Sequence, residues 1–72
     1  MGAVVNDLRR LPPRELELLT LLTLGHRTQS AAEQMGITLE TAKSHLRWAY
    51  IRLGARNRAH AVAIALREGL IE

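Results

Sequence analysis

Apolar side chains recur along this chain at helical intervals, in four blocks separated by glycine-centred breaks. The third block is the longest. Ala42, Leu46, Ala49, Tyr50 and Leu53 fall at i, i+4, i+7, i+8 and i+11, which makes one apolar stripe of a helix over about 39–53. The opposite stripe carries Glu40, Lys43, Ser44, Arg47 and Ile51. Just before it, Gly36 can take the positive φ that ends a helix, and Thr38 offers a hydroxyl to cap the next one. In the first block, Pro13 suits a first turn, Glu15 and Glu17 suit the helix dipole, and Gly25 supplies a stop. Leu18, Leu19 and Leu22 form its inner stripe, while Leu16, Leu21 and Leu24 add apolar surface on other faces. Thr28 is the expected cap of a short helix to Met35, with Ala31, Ala32 and Met35 inward. Gly54 closes the third helix and Asn57 is expected to cap a fourth. There Val62, Ala65, Leu66 and Gly69 are read as the inner stripe, Ala59, Ala63 and Arg67 as the outer one, and Ile64 as the border. The predicted fold is all-α, with helices at about 13–24, 28–35, 39–53 and 58–68. A short helix, a glycine turn and a longer helix with polar residues outward form a helix-turn-helix. Residues 1–10, with Val4, Val5 and Leu8, are read as an N-terminal arm and 11–72 as the domain.

Composition narrows the function. A chain of 72 residues is one domain that buries only ~60% of its unfolded surface, so its stability is marginal and a dimer would help it. With no Phe, one Trp and one Tyr, the core must be made of the thirteen Leu together with Val, Ile and Ala. The absence of Cys excludes a disulfide framework or a thiolate metal site and fits a reducing cytoplasm, the expected location. The longest nearly apolar run, Leu18 to Leu24, is far short of the ~20 residues a bilayer needs. Asn6 stands where a myristoylation signal after Met1-Gly2 would need Ser or Thr. The three His are scattered and no pair of acids shares a plausible cleft, so neither an enzyme, a metal site nor a cofactor is expected.

Charge is unevenly placed. Residues 1–40 hold four Arg against five acids, whereas residues 41–72 hold six bases against two, and between Thr41 and Arg58 there are five bases and no acid. A polyanion is the natural partner for that half, because neutralised phosphates release counterions. A solvent-facing helix stripe needs charge, but folding does not require both charges to be basic with hydroxyls beside them. Major-groove readout does: Lys43 or Arg47 can donate to guanine O6 and N7, and Ser44 can serve either partner. Arg52, Arg56 and Arg58 are expected on DNA phosphates. On the fourth helix the small Ala59 and Ala63, with Ile64 and Arg67, are the expected surface for a homodimer.

From Leu11 to Ile71 the string resembles the LuxR/GerE family of bacterial helix-turn-helix regulators. The resemblance rests on Pro13-Arg14-Glu15, Leu18-Leu19, Leu22, Gly25, Ala32, Met35-Gly36-Ile37, Thr41, Lys43, His45-Leu46, Tyr50, Leu53-Gly54, Arg56-Asn57-Arg58, Ala61-Val62 and Gly69-Leu70-Ile71, in gapless register. It implies a four-helix domain that binds double-stranded DNA as a homodimer through its last helix, with the third helix in the major groove. It carries base reading to Lys43, Ser44 and Arg47 and phosphate holding to Thr28, Gln29 and Thr41. His45 matches a frequent family His and is expected to be packed and hydrogen-bonded. The 72 residues are read as a stand-alone domain of this type, without a sensor or receiver segment.

The chain departs from the family at several places. Pro12 and Ser30 stand where a capping Thr and an acid are usual, and Ala31 and Ala42 replace larger aliphatics, which implies a leaner core. Leu16, Leu24, Trp48 and Ile51 are apolar where the family is usually polar. Either the arm covers the two leucines, or these residues bind a second protein, since Trp48 and Ile51 share one helix face and Trp is enriched in binding hot spots. The competing function is therefore a protein-binding transcription module that docks on RNA polymerase or another regulator. Leu11-Pro12-Pro13-Arg14 and Thr41-Ala42-Lys43-Ser44 resemble sigma-factor region 4, but Gly54 to Ile71 matches the LuxR-type dimer helix instead.

Overall fold

The computed structural model describes residues 10–72. Among them lie four helices: α1 (Pro13–Thr23), α2 (Thr28–Met35), α3 (Leu39–Leu53) and α4 (Arg58–Arg67). Each lies within a residue of its expected bounds. The arm, apart from Arg10, falls outside the described residues, as does any cover it would provide for Leu16 and Leu24. No helix among the described residues is long and apolar enough to cross a membrane.

The stripes read from periodicity on the first three helices converge on one core, which α4 joins through Ala61, Ile64 and Ala65 in place of the expected Leu66 and Gly69. Leu18 and Leu19 of α1 are fully buried, and Leu11, Leu22, Met35, Leu46, Leu53, Ile64 and Ile71 pack around them. Ala31, Ala42, Ala49, Ala61 and Ala65 fill the remaining inner positions without exposure. Such small residues let the helices approach closely at little side-chain entropy cost. Ala42 and Ala31 are thus buried as their stripes require, and the core beneath the helix-turn-helix is lean.

The turn between α2 and α3 is set locally. Gly36 has φ 70° and ψ 31°, a left-handed conformation that disfavours any residue with a Cβ. Its amide donates to the Glu33 carbonyl at 3.2 Å and the Ile37 amide to the Ala32 carbonyl at 3.0 Å, so the last carbonyls of α2 are satisfied. Arg14 ties α1 to the same turn, donating from one terminal nitrogen to the Met35 carbonyl at 2.8 Å and pairing the other with Glu17 at 2.9 Å. Asn57 caps α4 as expected, its Oδ1 accepting from the His60 amide at 2.9 Å.

Three expectations are corrected. Thr28 is not the cap of α2: Arg27 occupies that position with no side-chain cap bond, and Thr28 is the first helical residue. On α4, Leu66 is exposed rather than inward, and Ile64 is buried. The reason is a rotation of the inner stripe onto Ala61, Ile64 and Ala65, set by α4 packing its small residues against the rest of the core. Glu15, read only as a dipole partner, is buried. It sits between Leu18 and Leu19 on the wheel of α1, so the packing that buries those leucines buries it too.

Candidate nucleic-acid interface

The outer face of α3 begins at a hydroxyl pair. The Thr41 amide donates to Thr38 Oγ1 at 3.1 Å, which caps the helix, and the Thr38 hydroxyl lies 2.9 Å from Thr41 Oγ1. With Thr38 donating, the Thr41 hydroxyl hydrogen is left to point outward. Beyond it Lys43, Ser44 and Arg47 are all exposed. None of the three makes a hydrogen bond or ion pair with any described residue. Lys43 and Arg47 stand one turn apart, about 6 Å along the axis, with Ser44 on the same outer face. The fold therefore leaves two cations and a hydroxyl together on one helix face with their hydrogen-bonding capacity unused.

A second polar group forms at the starts of α2 and α4. Arg58 donates to Thr28 Oγ1 at 3.2 Å across thirty residues of sequence. Two residues expected on phosphates are thus brought together. Because α2 has no side-chain cap, the amides of Thr28, Gln29 and Ser30 find no acceptor among the described residues. Free first-turn amides and the positive end of the helix dipole are what an anion is held by. Gln29, Arg27, Arg56 and Arg58 are exposed around this end. The Arg56 amide donates to His60 Nδ1 at 3.1 Å, and His26 Nδ1 meets Ser30 Oγ at 2.8 Å. His45, by contrast, is half-buried and makes no hydrogen bond with a described residue, so only the packing half of its expectation holds.

Arg52 was expected to face phosphate alone, but the structure gives it a partner. Its Nε lies 3.2 Å and 3.4 Å from the two carboxylate oxygens of Glu15, whose side chain is 5% exposed against 39% for Arg52. The Trp48 ring centroid lies 5.8 Å from the Arg52 guanidinium carbon, within cation–π range. Glu15 is the residue sequence reasoning missed. Its place at i−3 and i−4 from Leu18 and Leu19 was the available signal, because an acid on a core stripe must find a cation.

The remaining surfaces divide as follows. Ile64, expected at a dimer contact, is 5% exposed and belongs to the core. Ala59, Ala63 and Arg67 do face outward, and Leu66, at 46% exposure, joins them with half-buried Val62. Ala59, Val62, Ala63 and Leu66 follow i, i+3, i+4 and i+7, a continuous apolar stripe on the outside of α4. Of the four residues considered for a protein partner, Leu16 is half-buried against the core, whereas Leu24, Trp48 and Ile51 are exposed.

The model of GerE, described as bacterial regulatory proteins of the luxR family, matches residues 9–65. The HTH-type transcriptional activator RamA of Corynebacterium glutamicum is 43% identical over 67 residues, which are 93% of this chain and 24% of that protein. Transcriptional activator protein BjaR1 of Bradyrhizobium diazoefficiens is 44% identical over 62 residues, 86% of this chain and 26% of that protein. The chain thus spans about a quarter of the length of these curated relatives. Among solved structures, the transcription factor GerE aligns with a TM-score of 0.82 at 29% identity, covering 86% of this chain and 92% of that one. The Vibrio cholerae LuxR-type receptor VqmA aligns at 0.83 and 29% identity, covering 93% of this chain and 31% of that one. Sequence and fold agree over the same four helices, and the chain belongs to the luxR family of bacterial transcription regulators, as their helix-turn-helix DNA-binding domain.

Proposed function

We propose that this domain binds specific double-stranded DNA as a homodimer, with α3 in the major groove. The observation that carries the reading is the unused hydrogen-bonding capacity of Lys43, Ser44 and Arg47 on one exposed helix face. In this reading the three side chains discriminate base edges, and each good bidentate contact contributes ~1–3 kcal/mol of discrimination. Thr41, the open amides of Thr28 and Gln29, and Arg56 and Arg58 hold phosphates and fix the register without reading sequence. The outer stripe of α4, Ala59, Val62, Ala63 and Leu66, meets the same stripe of a second copy, with Arg67 at its edge.

The alternative, a module that docks on RNA polymerase or another regulator, would use the exposed Leu24, Trp48 and Ile51. Leu16 packs on the core, and one face of Trp48 is taken by Arg52. Selection of random duplexes against the purified protein tests the proposal. A palindromic site with half-sites about 10 bp apart is the expected result, one turn of DNA between equivalent helices. Enrichment of a single asymmetric half-site would reject the dimer, and no enrichment would reject sequence readout.

A further inference from the structure

Arg52 has one edge to spare. Its Nε–H points at both oxygens of Glu15, but its two terminal nitrogens make no hydrogen bond with any described residue. The guanidinium is a rigid planar fork, so fixing the Nε edge fixes the direction of the opposite one. Its anchor is itself fixed. Glu15 lies in the first turn of α1 on the stripe of Leu18 and Leu19, and 95% of its side chain is out of solvent. The guanidinium carbon also lies over the ring of Trp48, one turn before Arg52 on α3, 5.8 Å from its centroid.

The position on α3 suits a particular ligand. Arg52 is nine residues beyond Lys43, about 13 Å along the helix axis. Nine residues are also about two and a half turns, so Arg52 leaves α3 half a turn from Lys43, on a flank of the helix and not on the base-reading face, and its reach to a phosphate rests on the flank it shares with Thr41. Thr41 and Arg52 are eleven residues apart, about three turns, so they line one flank of α3.

We propose that Glu15 and Trp48 are positioning residues for DNA: they hold Arg52 by its Nε edge and over the indole ring so that its terminal nitrogens meet a backbone phosphate already oriented. This rests on the placement of α3 in the major groove proposed above. The function of a buried acid beside a DNA-binding face is then explained. Simple charge counting makes Glu15 unfavourable for a polyanion, whereas orientation makes it helpful.

The two accounts predict opposite signs. Glu15→Leu extends the leucine stripe of α1 and leaves Arg52, which is partly exposed, able to reach water, so the variant is expected to fold; Glu15→Gln keeps shape and one acceptor if it does not. Orientation predicts that either variant binds the preferred duplex and an unrelated duplex more weakly by the same factor, about three- to tenfold for Glu15→Leu. The salt dependence should become shallower by about one phosphate contact. Arg52→Lys, which keeps the charge but loses the fork, should lose a similar factor, and the double variant Glu15→Leu/Arg52→Lys should lose no more than either alone. Emission from Trp48, the only tryptophan, should shift when DNA binds. Binding equal to or tighter than wild type in a folded Glu15→Leu protein, while Lys43→Ala still weakens the preferred site, overturns the proposal and leaves the major-groove reading standing. If Lys43→Ala and Arg47→Ala both bind as wild type, the major-groove reading fails and takes this proposal with it.

Discussion

Leu66→Ala acts on the dimer face and on monomer stability by amounts that can be worked out separately. Leu66 is 46% exposed in the single chain, and burying a whole leucine contributes about 1.5–3 kcal/mol. The exposed share is then worth about 0.7–1.4 kcal/mol per copy, and twofold symmetry doubles it to about 1.4–2.8 kcal/mol. Dimerisation should weaken by about 10- to 100-fold. The share already buried is lost by the monomer as well, about 0.8–1.6 kcal/mol, or a fall in Tm of roughly 5–10 °C. Sedimentation across a concentration series, with binding to duplexes carrying one or two half-sites, reads the two effects apart. The two-half-site duplex should lose its advantage while single half-site affinity at low temperature changes little. Ala63→Glu, at an exposed position, should abolish the same advantage with the monomer melt nearly unchanged. Equal losses on both duplexes would mean that Leu66 acts only through monomer stability, and the α4 dimer would be rejected.

Lys43→Ala and Arg47→Ala should each cost ~1–3 kcal/mol on the selected site with helicity intact, measured by fluorescence anisotropy; unchanged affinity in a folded variant refutes base reading. Arg58→Ala should instead weaken all duplexes alike and reduce the salt slope by about one, and a loss confined to one base position would contradict a phosphate role. Gly36→Ala should destabilise by about 1–2 kcal/mol in urea unfolding through its left-handed backbone alone, since nothing lies within 4 Å of a Cβ added there. A cost near zero would show that the α2–α3 turn does not depend on that conformation.

Periodicity and turn chemistry made the helices legible, because 3.6-residue stripes, Gly36, Gly54 and the caps Thr38 and Asn57 act within a few residues of themselves. The outward placement of Lys43, Ser44 and Arg47 followed from the same wheel. What failed was whatever depended on a distant partner. On α4 nearly every position is Ala or aliphatic, so the inner stripe could be drawn on Leu66 or on Ile64 with equal regularity, and only packing against the other helices chose Ile64. Thr28 looked like a cap because caps favour Thr, but its hydroxyl is used by Arg58 from another helix. The Glu15–Arg52 pair spans 37 residues, and no local pattern joins them.

The lean core links stability to binding. Six of the fifteen buried apolar residues are alanines, which add little transfer free energy, so the fold leans on Leu18, Leu19 and their few large neighbours. For a domain of this length total stability is about 4–11 kcal/mol. A ligand present at a hundred times its Kd adds about 2.7 kcal/mol to the folded state alone. DNA or a second copy can therefore contribute a large fraction of what keeps α3 in place, and a core change lowers apparent DNA affinity through the folded fraction once its cost approaches the total stability. A loss of binding in Leu18→Ala would report on that fraction. Lys43 and Arg47, exposed and without partners among the described residues, should leave the fold unchanged when truncated, so a loss there reports on readout.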